Sequence, residues 1–460
     1  MYFKFVYDES LSQASFIIGC QKEGIAAVID PKRDVDTYLK IAEKNNLKIT
    51  HILETHIHAD FLCGSRELAK LTGADLYLSD EGDENWKYNF PHIPLRDGSQ
   101  IRLGNVVVEA MHTPGHTPEH LSYIVTDEAA CDEPVMLFSG DFVFVGDIGR
   151  PDLLDKLTGD KKSSGIGAHQ QFSSLQKLFE LKNYIQIWPS HGAGSSCGKA
   201  IGAVPMTTLG YEKIRNWAMQ FGTDEEAFVK ELLSNQPEPP RYYATMKKLN
   251  KEERKLLTEI PKAKNLSEEA YRKAKKSGLQ LIDARKWEDY AKGHLKNAWN
   301  ITNDNSFSTE MGWFMQYDKS FVMIASKREM EEITRKLMRI GMDNMHGFIT
   351  PAQLKKWEKS NLVEADIIDK KALKQQINST DIQLIDVRSE REYKEGHIGN
   401  AKNVFFGTID ENMDSIPKNK QAIVYCQTGG RAAVAYSVLE SKGLKNISIY
   451  PGGWEEWSEE

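Results

Sequence analysis

Long apolar runs are missing from this 460-residue chain. Its hydrophobic stretches reach roughly ten residues, well short of the 18 or more a spanning helix needs, so no membrane span is expected. Cationic excess is missing too. Lys and Arg number 59 against 66 Asp and Glu, a net charge of −7, which leaves no basic surface for nucleic acid or an anionic membrane. Cysteines are few, odd in number and widely spread: Cys20, Cys63, Cys131, Cys197 and Cys426. That pattern suits core filler, ligands or nucleophiles in a reducing cytoplasm, not a disulfide framework. The start, Met1-Tyr2-Phe3-Lys4-Phe5, reads as a strand without the basic opening, apolar core and cleavage site of a secretory signal. What is there is ordinary for a soluble protein: 40% hydrophobic, 27% charged, and long enough for about three domains.

One stretch organises the rest: Thr55-His56-Ile57-His58-Ala59-Asp60-Phe61. It follows an apolar strand-like run, Ile49 to Leu53, and precedes a helix-like one, Ser65 to Leu71. A strand ending in alternating His and Asp before a helix points several ligand atoms at one metal ion. Three later pieces make sense if they converge there: Thr113-Pro114-Gly115-His116-Thr117, Ser139-Gly140-Asp141 and Pro189-Ser190-His191-Gly192. Strands alternating with helices up to about Tyr184 suggest two sheets packed between helices. The Pro-rich residues 236–250 read as a first boundary.

Beyond it the chain repeats itself. Leu281-Ile282-Asp283-Ala284-Arg285 matches Leu384-Ile385-Asp386-Val387-Arg388, and Gly293-His294 matches Gly396-His397, both at an offset of 103. Residues 266–358 and 364–460 therefore read as two copies of one α/β domain with a parallel sheet.

The first set of motifs resembles the metallo-β-lactamase superfamily, over about residues 1–245, and the expected domain runs 1–248. One departure bears on chemistry. Where the dinuclear hydrolases of that superfamily have a second histidine after the aspartate, Phe61 stands. A phenyl ring donates no lone pair, so one metal is expected rather than two. The resemblance then implies His56, His116 and Asp141 as ligands, the two-imidazole, one-carboxylate set associated with non-haem Fe(II). Gly149-Arg150-Pro151-Asp152 resembles the persulfide dioxygenase branch in particular. Ligand type alone does not separate iron from zinc. His58 and Asp60 are expected to orient the ligands by hydrogen bonds. His191 is expected to bond substrate or water, and Arg150 to contact an anionic thiol carrier. His112 and His120 read as structural, and His51, His92 and His169 as surface or satisfied core residues.

The last copy carries a second site. Cys426-Gln427-Thr428-Gly429-Gly430-Arg431 joins a strand to a helix. Two glycines allow a tight turn whose N–H groups face an anion, and the helix start and Arg431 add positive potential. This should favour a thiolate or a cysteine persulfide. The loop, with Glu392-Tyr393 and Tyr450-Pro451-Gly452-Gly453-Trp454, resembles the rhodanese family over about 364–460. In the first copy Ser326 replaces the cysteine, at an offset of 100, followed by Lys327-Arg328-Glu329-Met330-Glu331. Residues 266–358 therefore read as a catalytically silent rhodanese-like domain.

The whole order resembles the fused persulfide dioxygenase–rhodanese proteins of bacterial sulfide detoxification. The fold expected is an α/β chain: an αββα metallo-β-lactamase fold followed by two rhodanese-like domains with parallel sheets. The resemblance implies one Fe(II) per chain and no organic cofactor. Its partners would be a small-molecule thiol persulfide, O₂ and sulfite, in a homo-oligomer, dimer or tetramer. Cys426 and Arg431 would transfer sulfur, and Cys20 is a further candidate thiol because such fusions carry one there. Cys197 reads as a loop thiol. The competing expectation is a dinuclear zinc thioester hydrolase fused to a sulfur carrier.

Overall fold

The computed structural model describes residues 1–153, 155 and 162–459. They fall into two compact units, Met1–Ile260 with Met338–Gly341, and Pro261–Leu337 with Met342–Glu460.

The first unit holds two six-stranded sheets. One runs, in spatial order, Tyr2–Asp8, Gln13–Cys20, Ile25–Ile29, Lys48–Leu53, Asp75–Ser79 and Ile93–Leu95. The other runs Thr207–Thr208, Gln186–Pro189, Met136–Gly140, Leu121–Asp127, Val106–His112 and Gln100–Leu103. Successive side chains on a strand face opposite ways, and this alternation builds three apolar layers. Ala14, Phe16 and Ile18 pack between the sheets with Val108, Leu121 and Phe138. Ile17, Ala26 and Val28 turn outward onto Tyr38 of the helix Asp36–Lys44 and Leu68 of the helix Ser65–Thr72. Leu137 and Ile187 pack against Phe172 and Leu175 of the helix Ser163–Glu180. The αββα sandwich expected from the sequence is what forms.

This layering decides where the motifs go. Ile25–Ile29 and Lys48–Leu53 run parallel, as do Met136–Gly140 and Gln186–Pro189. Their C-terminal ends open onto one rim, the usual place for a site in such sheets. Asp30, His56, Asp141 and His191 each follow one of these four strands. Residues 236–250, expected as a boundary, instead include most of the helix Tyr243–Lys251, and the first unit continues to Ile260.

The second unit contains both repeats, each with a four-stranded parallel sheet. The orders are Ala298–Asn300, Gln280–Asp283, Phe321–Ile324, Met345–Ile349 in one and Lys402–Asn403, Ile382–Asp386, Gln421–Tyr425, Ile447–Ile449 in the other. Among the described residues no helix is long and apolar enough to cross a membrane.

Candidate functional site

His56, His116 and Asp141 are buried, and each presents one ligand atom within 4.8 Å of the other two. His116 Nε2 lies 3.4 Å from Asp141 Oδ2, and His56 Nε2 lies 4.0 Å from it. Neither carboxylate oxygen of Asp141 has a hydrogen-bond partner, and His56 Nε2 has none. Buried polar atoms left unpaired cost free energy, so a converging set of them fits a cation.

The far side of each ring fixes which nitrogen faces inward. His116 Nδ1 lies 2.9 Å from the Arg150 carbonyl, which can only accept, so the proton sits on Nδ1 and the Nε2 lone pair faces Asp141. His56 Nδ1 lies 3.0 Å from Thr55 Oγ1, whose hydroxyl donates to Asp30 Oδ2 at 2.9 Å. Burial and the neighbouring imidazoles hold His56 well below its ordinary pKa, which keeps it neutral. Gly140 permits the turn that presents Asp141: its φ is +54°, and a Cβ there would meet His120 Nε2 at 2.5 Å. His120 accepts the Asp141 N–H at 3.1 Å and stacks on His56, with ring centroids 5.1 Å apart.

His58 faces elsewhere. Its Nε2 is 3.1 Å from Asp30 Oδ1. Burial alone would depress its pKa, but the Asp30 carboxylate, with Asp60 and Glu54 behind it, outweighs that and raises it to about 9. Phe61 is buried with its ring 4.4 Å from the His58 ring.

A second set of donors lies alongside: Asp60, His191 and Cys197, again buried and within 4.8 Å of one another. His191 Nε2 is 3.3 Å from Asp60 Oδ2 and 3.4 Å from Asp141 Oδ1, while its Nδ1 lies 3.0 Å from the Ser12 carbonyl. Burial and the charge of Asp141 push the Asp60 carboxyl up; the ring of imidazoles holds Asp141 down although burial opposes it. Burial pushes the Cys197 thiol well above its ordinary range. Cys197, read from the sequence as a loop thiol, thus joins the donor set; Gly194-Ser195-Ser196-Cys197-Gly198 carries no spacing that ties it to Asp60.

Three further residues singled out in the sequence are held as follows. The buried Arg150 guanidinium is engaged by Asp152 Oδ1 at 2.8 Å, the Ser196 carbonyl at 3.0 Å and the Pro237 carbonyl at 2.6 Å, so it is not open to a thiol carrier. Cys20 is outside both donor sets. It packs beside Gly104 at the end of Gln13–Cys20, where backbone N–H groups of Asn105, Glu23 and Lys22 lower its pKa. Arg431 forms a two-pronged pair with Glu392, at 2.8 and 2.7 Å, so its charge is largely offset. Burial would raise the Glu392 carboxyl, but Arg431 outweighs it and brings it to about 2.

Cys426 is buried between the strand Gln421–Tyr425 and the helix Gly430–Ser441. Gly429, at φ +95°, donates its N–H to Cys426 Sγ at 3.1 Å. Gln427 accepts from Arg388 Nη1 at 3.4 Å, and Thr428 and Gly430 lie exposed. In the first copy the Ser326 N–H is taken by Glu329 Oε2 at 3.2 Å.

The model of the metallo-beta-lactamase superfamily matches residues 10–191, and that of the rhodanese-like domain matches residues 266–349 and 369–460. A solved metallo-beta-lactamase from Staphylococcus aureus subsp. aureus COL is 43% identical, covers 76% of this chain and 99% of its own, and superposes with a TM-score of 0.71. A probable polyketide biosynthesis zinc-dependent hydrolase, BaeB, from Bacillus velezensis is 25% identical over 195 residues, 42% of this chain and 79% of that one. A hydroxyacylglutathione hydrolase from Francisella tularensis subsp. novicida is 30% identical over 167 residues, 36% of this chain, which spans 58% of that relative's length.

Proposed function

Because the chain belongs to the metallo-β-lactamase superfamily and carries two rhodanese-like domains behind that fold, we propose that it is a persulfide dioxygenase joined to a sulfurtransferase. The first site oxidises a low-molecular-weight persulfide with O₂ to sulfite and free thiol, and the second turns that sulfite into thiosulfate. The observation that carries this reading is the buried trio His56, His116 and Asp141, with a phenyl ring at position 61 packed on His58. Two neutral imidazoles and a carboxylate fit a single Fe(II), and an iron held there would supply the O₂ activation that sulfur oxidation needs. The chain's own part is to keep Nε2 of both rings bare, through the Arg150 carbonyl and the Thr55 hydroxyl, and to exclude bulk water from the pocket.

At the second site the Cys426 thiolate takes the outer sulfur of a persulfide and releases the carrier thiol. The sulfur lone pair of sulfite then attacks that outer sulfur, the S–S bond breaks toward Cys426, and thiosulfate leaves. Gly429 N–H steadies the Cys426 sulfur through both steps. Tethering the two sites raises the local sulfite concentration. The five cysteines are all unpaired, which fits the cytoplasm.

Asp60, His191 and Cys197 favour a second reading, a two-metal hydrolase, and hydrolases, one of them zinc-dependent, are named among the relatives. Metal content and turnover decide between them. One iron per chain, with oxygen uptake on glutathione persulfide or coenzyme A persulfide, is the expected result. Two zinc ions with thioester hydrolysis and no oxygen uptake would establish the alternative.

A further inference from the structure

The metal-bearing segment is a problem in backbone chemistry. Between the strand Lys48–Leu53 and the helix Ser65–Thr72 the chain is irregular and buried, so its N–H and C=O groups need partners that no ladder supplies. Three of those partners come from one side chain. Asn250 donates to the His58 carbonyl at 2.8 Å and to the Phe61 carbonyl at 2.8 Å, and accepts the Cys63 N–H at 2.9 Å. Both donors and the acceptor of its amide are thereby used, and it is only 4% exposed. Tyr242 adds a fourth bond, its hydroxyl donating to the Asp60 carbonyl at 2.8 Å. Both residues flank or belong to the helix Tyr243–Lys251, outside the stretch that matches the superfamily model.

The same helix acts on the segment's other end. Lys247 lies 3.6 Å over the Trp86 ring and within electrostatic reach of Glu119, whose Oε1 accepts the Ile57 N–H at 2.7 Å. Tyr243 pairs with Ser196, next to Cys197, at 2.5 Å.

We infer that Asn250, assisted by Tyr242, is a positioning residue that locks the 58–63 turn and so sets the affinity and geometry with which the pocket holds its metal. The lock does two things at once. It holds the Phe61 ring against His58, and it fixes the Asp60 carboxylate opposite His191. With the turn held, Asp60 Oδ2 stays 3.3 Å from His191 Nε2, neither atom hydrogen-bonded, and the Phe61 ring stays on His58; released, Asp60 and Phe61 move and that spacing is lost. The inference rests on the reading of His56, His116 and Asp141 as a metal site.

The test uses the full-length protein stripped of metal and titrated anaerobically with Co(II), whose visible spectrum reports ligand number and geometry. Asn250→Asp keeps the size and the acceptor for Cys63 N–H but removes both donors. Tyr242→Phe removes one hydroxyl and guards against a variant that does not fold. We expect wild type to bind one Co(II). Asn250→Asp should weaken that site by ~10- to 100-fold, as loss of a ligand-orienting partner does, and change its spectrum. Tyr242→Phe should shift the same quantities less. Wild-type affinity, stoichiometry and spectrum in both folded variants would overturn the lock alone. A wild-type protein whose Co(II) uptake is untouched by His56→Ala would overturn the metal reading and the lock with it.

Discussion

The two rhodanese-like copies share a scaffold almost bond for bond and differ in one loop. In the first, Arg285 Nε meets Asp283 Oδ1 at 2.9 Å and Nη2 meets the Gly293 carbonyl at 2.9 Å; in the second, Arg388 meets Asp386 and Gly396 at 3.0 and 2.6 Å. His294 stacks on Tyr290 at 3.9 Å, and His397 on Tyr393 at 3.8 Å. Asn300 and Asn403 each bridge two carbonyls of the neighbouring strand end. Yet one loop turns N–H onto a sulfur, and the other closes its amide on Glu329. Scaffold and loop are therefore separable: the first is kept in both copies while the second differs.

Exchanging the defining atom breaks the comparison most severely. Cys426→Ser should abolish thiosulfate formation while oxygen uptake continues and sulfite accumulates. The reciprocal change, Ser326→Cys in the Cys426→Ser background, should restore nothing, because no glycine turn exists there to face the new sulfur. Sulfite and thiosulfate assays check both. Thiosulfate formed at the wild-type rate by Cys426→Ser would refute the role of Cys426, and transfer regained through Ser326→Cys would show that one sulfur atom, rather than the loop, was what the first copy lacked.

Removing a shared feature comes next. Asp283→Asn and Asp386→Asn each strand a guanidinium, buried at Arg388 and 16% exposed at Arg285, and should cost about 3–5 kcal/mol in urea unfolding of the second unit. Only Asp386→Asn should also slow sulfur transfer, because Arg388 reaches Gln427 in the sulfur loop, whereas Arg285 reaches the Asp289 carbonyl instead. Equal stability losses with unequal transfer rates would confirm the separation; a loss confined to the active copy would undo it.

The legible parts of this molecule were local. His56-x-His58-x-Asp60, the Gly429-Gly430 turn and the 103-residue offset are each written in a few consecutive residues or one period. The αββα layering followed from strand alternation. What escaped came from distant pairs. Asn250 meets His58 across 192 positions, behind a Pro-rich stretch that reads as a linker, and Cys197 joins Asp60 from a loop without pattern. Arg431 looked like a free cation because nothing in its spacing ties it to Glu392, 39 positions away, whereas the partner of Arg150, Asp152, stands only two positions on. Residue types were readable; which partner each would meet was settled by the packing of the sheets.

The smallest expected effect concerns what the first copy contributes to the second. Its helix Phe307–Phe314 packs on the active copy, with Trp313 5.3 Å from Phe405 and Phe314 6.2 Å from Phe406. Glu310 on that helix is buried, and burial, with Asp304 adding to it and Arg431 opposing, raises its carboxyl to about 8. The folded state thus holds a proton that the unfolded chain releases near the ordinary carboxylate range. Stability from this group is fully present below that range and is lost as pH rises through about 8. Glu310→Gln should accordingly raise the melting temperature of the second unit at pH 8.5 and leave it nearly unchanged at pH 4.5. A gain of a few degrees is expected, since ~1 kcal/mol moves Tm by about 2–4 °C in a unit of this size. A pH-independent gain would mean that Glu310 is already ionised in the folded protein, and that the first copy presents a fixed negative charge, not a neutral wall, to the second.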